Sequence, residues 1–143
     1  MDWDHRMLGL ARHVADWSKD PSTKVGAVIS RPDRTIVSIG FNGFPRRVED
    51  KPHRLLDRDM KLALTVHAEL NAILTARQIV EGFTIYTWPL MPCSHCAGAI
   101  IQSGLKRVVS PADIPDRWLE SMSFSAEIFR EAGVVLERLT GIP

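Results

Sequence analysis

Two short clusters, His67-Ala68-Glu69 and Pro92-Cys93-Ser94-His95-Cys96, constrain this chain more than any other feature of its sequence. Between them they hold both of its cysteines. His67, Cys93 and Cys96 supply one imidazole and two thiolates, a donor set that suits a tetrahedral zinc with its fourth position open to water. A single ion per chain, shared by both clusters, obliges the fold to bring distant segments together. Glu69, two positions past the histidine, is placed to move protons rather than to bind metal.

At 143 residues and 45% apolar, the chain fits one domain, residues 1–143, with a core of its own. A formal charge of +1 lacks the basic excess that goes with nucleic-acid binding, so no nucleic-acid partner is expected. Two cysteines spaced Cys-x-x-Cys make a poor disulfide framework and read as metal or redox chemistry in a reducing compartment. Met1 to Arg6 is charged, without the apolar core of a signal peptide, and the apolar runs are too short to span a membrane. A cytoplasmic location without membrane attachment is the expectation.

Apolar residues at Met7, Leu8, Leu10, Ala11, Val14 and Trp17 predict a helix over about 3–17, ended by Asp20-Pro21-Ser22. Val25–Ile29 and Thr35–Ile39 read as strands joined in a hairpin. Asn42-Gly43-Phe44-Pro45 is turn chemistry, and the dense charges that follow to residue 64 read as a solvated loop or, equally, as a phosphate-binding segment. Further on, the spacing predicts a helix over 65–80, a strand over 83–88 and a helix over 94–103 closed by Gly104. A strand over 107–110, a helix over 123–132 and a strand over 134–137 complete the order. Strands interleaved with helices predict an α/β fold, a three-layer α/β/α sandwich around a mixed five-stranded sheet.

In this order His67 and Glu69 open one helix, while Cys93 and Cys96 flank the start of the next. A helix amino terminus offers free N–H groups and partial positive charge, which favour thiolate over thiol. Zinc bound there would lower the pKa of its water toward neutrality, giving a hydroxide that attacks a ring carbon bearing an amino group. Glu69 would take the water's proton and return protons to the ring nitrogen and the departing amine. Two other readings stand beside this one. The cysteines could form a structural zinc site with His95 as fourth ligand, or a redox pair; neither gives both His67 and Glu69 a role.

The two clusters match the signature of zinc-dependent nucleobase deaminases. The chain resembles the cytidine/deoxycytidylate deaminase superfamily over roughly residues 6–135, and within it the deoxycytidylate (dCMP) deaminase branch. The resemblance rests on Pro21-Ser22-Thr23-Lys24-Val25-Gly26-Ala27-Val28, Gly40-Phe41-Asn42-Gly43-Phe44-Pro45 and His67 to Ile73. Pro92 to Ala97 and Ile101 to Lys106 follow in the family's order. It implies hydrolytic deamination of dCMP to dUMP and ammonia and self-association as dimers or hexamers; many relatives carry ligands for a second zinc, but this chain has no spare cysteine, so one zinc per subunit is expected. It also implies a dCTP or dTTP effector among the partners.

By the same resemblance Asn42 holds the substrate's sugar, Ala68 gives the pyrimidine a backbone contact, and Tyr86 and Trp88 pack on base or sugar. Where relatives continue Asn-Gly-x-Pro-x-Gly, this chain has Arg46-Arg47 after Pro45, which trades a flexible position for cations. Arg46 and Arg47, with Arg54 and Arg58, are the phosphate candidates nearest in sequence. The same zinc and glutamate would equally serve another base: a free or modified cytosine nucleoside, guanine, or adenosine in tRNA. A non-catalytic zinc-binding module is the alternative from another class.

Overall fold

The computed structural model describes residues 1–142. The chain runs α1 (Trp3–Ala15), β1 (Gly26–Ser30), β2 (Ile36–Phe41), α2 (Pro52–Leu56), α3 (Arg58–Leu64) and α4 (Ala68–Ala76). It continues through β3 (Thr84–Trp88), α5 (Ser94–Ser103), β4 (Arg107–Pro111), a 3-10 turn over Asp116–Trp118, α6 (Leu119–Ala132) and β5 (Val135–Leu139). The five strands form one mixed sheet in the order β2-β1-β3-β4-β5. β1 is antiparallel to β2 and to β3, whereas β3, β4 and β5 run parallel.

Side-chain alternation along the strands divides the core into two layers. Val28 of β1, Tyr86 of β3 and Val109 of β4 pack against Met7, Leu8 and Ala11 of α1. Ala27, Ile29, Ile85 and Val108 face the opposite way, onto Ala68 and Ala72 of α4, Ala97 and Ile100 of α5, and Phe129 of α6. All five residues of β1 are buried, as a strand covered on both faces requires. This is the α/β/α sandwich expected from the sequence, with one helix on one face and three on the other.

Three departures from expectation each have a local reason. The charged stretch before His67 is not one long loop. Pro52 sits in the first turn of α2, and the Asp57 carboxylate caps α3 by accepting from the Met60 N–H at 3.1 Å. α4 stops at Ala76 instead of running on to residue 80, because Arg77 adopts the left-handed conformation (φ 53°) that ends it. α6 begins at Leu119, one turn before the sequence pattern, as a continuation of the 3-10 turn.

Candidate active site

α4 and α5 start beside each other, and their first residues carry the two sequence clusters. His67 is the N-cap of α4 and Cys93 the N-cap of α5, with Cys96 in the first turn of α5. The Nδ1 atom of His67 lies 3.2 Å from the Cys96 Sγ and 3.6 Å from the Cys93 Sγ. The three donor atoms all lie within 4.8 Å of one another. A tetrahedral zinc with bond lengths of about 2.0–2.3 Å needs such donors about 3.5–3.8 Å apart, so the donor set fits that ion. Nδ1 is the ring nitrogen turned to the metal position.

The electrostatics of the three donors follow from their contacts. A hydrogen bond from the Cys96 thiol holds the Cys93 thiol down to about 3, against the cost of burial, with His67 helping. Cys96 is pushed upward by the same hydrogen bond and by burial. The Cys93 thiolate in turn raises His67, since imidazolium gains from the neighbouring charge. Of the two thiols, Cys93 is the one these contacts favour as thiolate.

Glu69 is the second residue of α4 and is buried. Burial pushes its carboxyl up to about 7, the Cys93 thiolate adds to the rise, and its own backbone N–H and His67 oppose it. A carboxyl poised near neutrality beside a metal position is suited to taking a proton and giving it back.

His67, Glu69 and Cys93 open into a pocket of about 420 Å³, within the range of roughly 300–1,000 Å³ typical of small-ligand sites. Ala68 and Asn42 line it too. Ala68 stands at the first position of α4, where a backbone N–H has no acceptor within the helix. The Asn42 side chain braces the pocket rim: its Oδ1 accepts from the Val25 N–H at 2.8 Å and its Nδ2 donates to the Thr23 carbonyl at 2.9 Å. Both residues of that rim belong to the segment leading into β1.

Four expected contacts are not brought there. Tyr86 and Trp88 point to the α1 face of the sheet, where Tyr86 donates its hydroxyl to Asp4 at 2.8 Å and the Arg12 guanidinium lies over the Trp88 ring. Period-two alternation explains this: the β3 residues on the α4 face are Ile85, in the core, and Thr87, whose hydroxyl donates to the Leu90 carbonyl. Arg46 and Arg47 are exposed on a turn closed by the Val48 N–H to the Pro45 carbonyl, with Arg47 at φ 68°, and neither lines the pocket. The wall instead includes Arg58, Lys61, Met91, Arg117, Trp118 and Met122. Arg117 and Trp118 carry no motif and lie far along the chain from either cluster, so only the fold reveals them.

Fold and donor set together define a metal-dependent hydrolytic site at the amino termini of two helices on an α/β/α scaffold. A model of the cytidine and deoxycytidylate deaminase zinc-binding region matches residues 1–111. The chain belongs to this family of zinc-dependent hydrolases. It is 44% identical over 135 residues to an uncharacterized deaminase of Aliivibrio fischeri, covering 92% of this chain and 90% of that one. It is 36% identical to the deoxycytidylate deaminase of Mus musculus, covering 98% of this chain and 81% of that protein. In fold it is similar to the dCMP deaminase of cyanophage S-TIM5 in complex with dCMP and dUMP, with a TM-score of 0.72 and 20% identity over 92% of this chain and 93% of the other. Among the described residues no helix is long and apolar enough to cross a membrane.

Proposed function

We propose that this protein hydrolyses dCMP to dUMP and ammonia. The observation that carries the reading is the buried Glu69 beside three converging donors, His67, Cys93 and Cys96, at one end of a nucleotide-sized pocket. His67, Cys93 and Cys96 would hold one zinc per chain, and zinc bound there supplies Lewis-acid activation of water. Glu69 would take one proton from the attacking water and pass it to the ring nitrogen as the bond from that oxygen to the amino-bearing carbon forms. It would then take the second proton from the new hydroxyl and pass it to the amino group as the C–N bond breaks, leaving a carbonyl and ammonia. Its burial keeps bulk water from competing for those protons. The Ala68 N–H, free at the start of α4, offers the pyrimidine a hydrogen bond, and Asn42 fixes the rim against which the sugar lies.

Two cysteines kept as metal ligands fit a cytoplasmic, reducing setting. Self-association and a dCTP or dTTP effector belong to the same proposal and rest on the family resemblance alone.

The test is ammonia release by the zinc-loaded protein from dCMP, deoxycytidine, cytidine, guanine and adenosine. Turnover of dCMP above the others is expected. Glu69→Ala should keep its zinc and lose about 10²- to 10⁴-fold in rate, the usual worth of a positioned proton shuttle. Retention of full activity in that variant would exclude the mechanism, and preference for another base would reassign the substrate.

A further inference from the structure

Both ends of the Asn42 side-chain amide are taken up by the chain between α1 and β1, so the pocket rim stands wherever that segment stands. Among the described residues, 16–25 form neither helix nor strand. Asp20 gathers them: its Oδ1 atom accepts from the Ser22 N–H at 2.8 Å and the Thr23 N–H at 3.1 Å. The Ser18 hydroxyl accepts from the Asp20 N–H at 3.2 Å and donates to the Asn42 carbonyl at 2.8 Å. Ser18, Asp20 and Thr23 therefore close on one asparagine. An ion pair carries this knot across to α3. The Lys61 ammonium lies 3.0 Å from the same Asp20 oxygen, and the two side chains are only 6% and 11% exposed.

α3 is fastened by that charge. A helix on a protein surface ordinarily seats itself by an apolar face. Among the described residues, however, Lys61 is the one buried residue of α3, while Met60 and Leu62 are exposed. Lys61 also helps to end the helix: its carbonyl accepts from the Thr65 N–H at 3.0 Å and from the Thr65 hydroxyl at 2.6 Å, two residues before the metal donor His67. Next along the chain, Val66 and Gly43 exchange backbone hydrogen bonds of 2.8 and 3.2 Å. These join the residue before His67 to the residue after Asn42. Metal donor and sugar rim are thus linked twice, directly through Gly43 and Val66 and indirectly through Asp20 and Lys61.

We propose that Asp20 and Lys61 are positioning residues for the substrate: the pair holds the segment before β1, and through it Asn42, at the distance from the metal donors that a nucleoside's sugar requires. This rests on the deaminase reading above. A buried ion pair adds little net stability, because desolvation of the two charges offsets their attraction. Breaking it leaves a bare charge buried, so the two elements it joins are kept in one relative position. Both residues line the pocket, but their charges answer each other and present no net charge to a ligand. In this role neither moves a proton or holds the metal. The pair sets how tightly a sugar-bearing substrate is bound and leaves the chemical step to Glu69 and the metal donors.

The experiment measures kcat and KM for dCMP and deoxycytidine in the zinc-loaded wild type, D20N, K61M and the D20N/K61M double variant, together with Tm and zinc affinity. D20N keeps an acceptor for Ser22 and Thr23, and K61M keeps the length of the stem, so each removes the tie to α3 and little else. Each single substitution should raise KM about tenfold, the lower end for a hydrogen bond to a charged group, and equally for both substrates. The kcat should stay within about threefold and zinc affinity within about twofold, the pattern of lost binding rather than lost chemistry. The double variant should melt above either single one, since no bare charge remains buried, while its KM stays raised. Recovery of KM together with Tm would show that the pair only balances charge, and overturns the proposal. A loss confined to dCMP would make Lys61 a direct ligand of the phosphate, and a joint fall in kcat and zinc affinity would make the pair a prop of the metal site; either overturns it. Hydrogen exchange of the Asn42 side-chain amide, followed by nuclear magnetic resonance without substrate, needs no turnover. It should be slow in the wild type and faster in all three variants; equal rates throughout overturn the proposal. Should the wild type turn over neither compound, the proposed reaction fails and this exchange alone decides whether the pair holds the rim.

Discussion

Tyr86 is the one tyrosine of the chain, which makes a structural claim about it directly readable. Burial of a would-be phenolate, and then the hydrogen bond to Asp4, push its ionisation up to about 12. In the unfolded chain the same phenol ionises near about 10. Between those values the native state keeps a proton that the unfolded state has lost, so stability falls as pH rises from about 10 to about 12. A near-ultraviolet absorbance titration of the folded protein should therefore give a midpoint near about 12. Asp4→Asn, which removes the accepting charge, should lower it. A wild-type midpoint at the ordinary value would mean that the phenol is solvated, contrary to its packing beneath α1. The residue scale is also where the sequence was least legible. β3 is covered on both faces, so it shows no polar and apolar alternation to reveal which residues face α4. An aromatic strand leading to the cysteines thus looked like pocket wall, whereas Tyr86 and Trp88 belong to the other layer.

At the scale of elements, the position of α4 decides the site, because that helix carries His67 and Glu69 together. Ala68, Ala72 and Ala76 form its small-residue stripe against the sheet, and the Ser38 hydroxyl of β2 donates to the Ala72 carbonyl at 2.7 Å. Gly40 of β2 completes this approach: a Cβ there would collide with the Ala68 carbonyl oxygen and the Ala72 backbone nitrogen. Neither obstacle is a flexible side-chain tip, so relief requires α4 to move. Gly40→Ala should cost about 1–3 kcal/mol or more in a denaturant melt. It should also weaken zinc binding, since His67 moves relative to Cys93 and Cys96. An unchanged melt and an unchanged zinc titration would show that α4 is less tightly seated than the backbone contacts imply. Helices with this regular pattern were legible in advance; α5 runs from Ser94 to the Gly104 cap as the spacing predicts. α2 and α3 were not, because short helices rich in charge differ little in composition from a solvated loop. Their signals are the local ones, Pro52 and the Asp57 cap. The same gap concealed that α3 turns one face, headed by Arg58, into the pocket.

Over the whole molecule the metal centre ties together segments that the sheet alone holds apart. The donors come from the starts of α4 and α5, which flank β3 in the chain, and both helices press on the same core layer. The unfolded chain brings a histidine and two cysteines together only by closing a long loop, so an ion that binds the three at once favours the native state. At zinc a hundredfold above its dissociation constant, the linkage is worth about 2.7 kcal/mol. For a chain of this size that corresponds to a shift in Tm on the order of 10 °C. Removal of zinc by a chelator should lower the melting temperature by that amount, and replacement of zinc should restore it. Cys96→Ser should remove the dependence, because the hydroxyl is a far poorer ligand than the thiolate while the buried position is still filled. The cost of that substitution to the metal-free protein should be small by comparison, which separates loss of linkage from loss of fold. If the zinc-dependent shift survives in Cys96→Ser, the ion is held elsewhere and the donor set on which the site is built is wrong. A wild-type melt indifferent to zinc, with the metal demonstrably bound, would mean instead that the donors are already organised in the unfolded ensemble. The cooperative packing of Ala68, Ala97 and Phe129 in one layer argues against such organisation without the folded core.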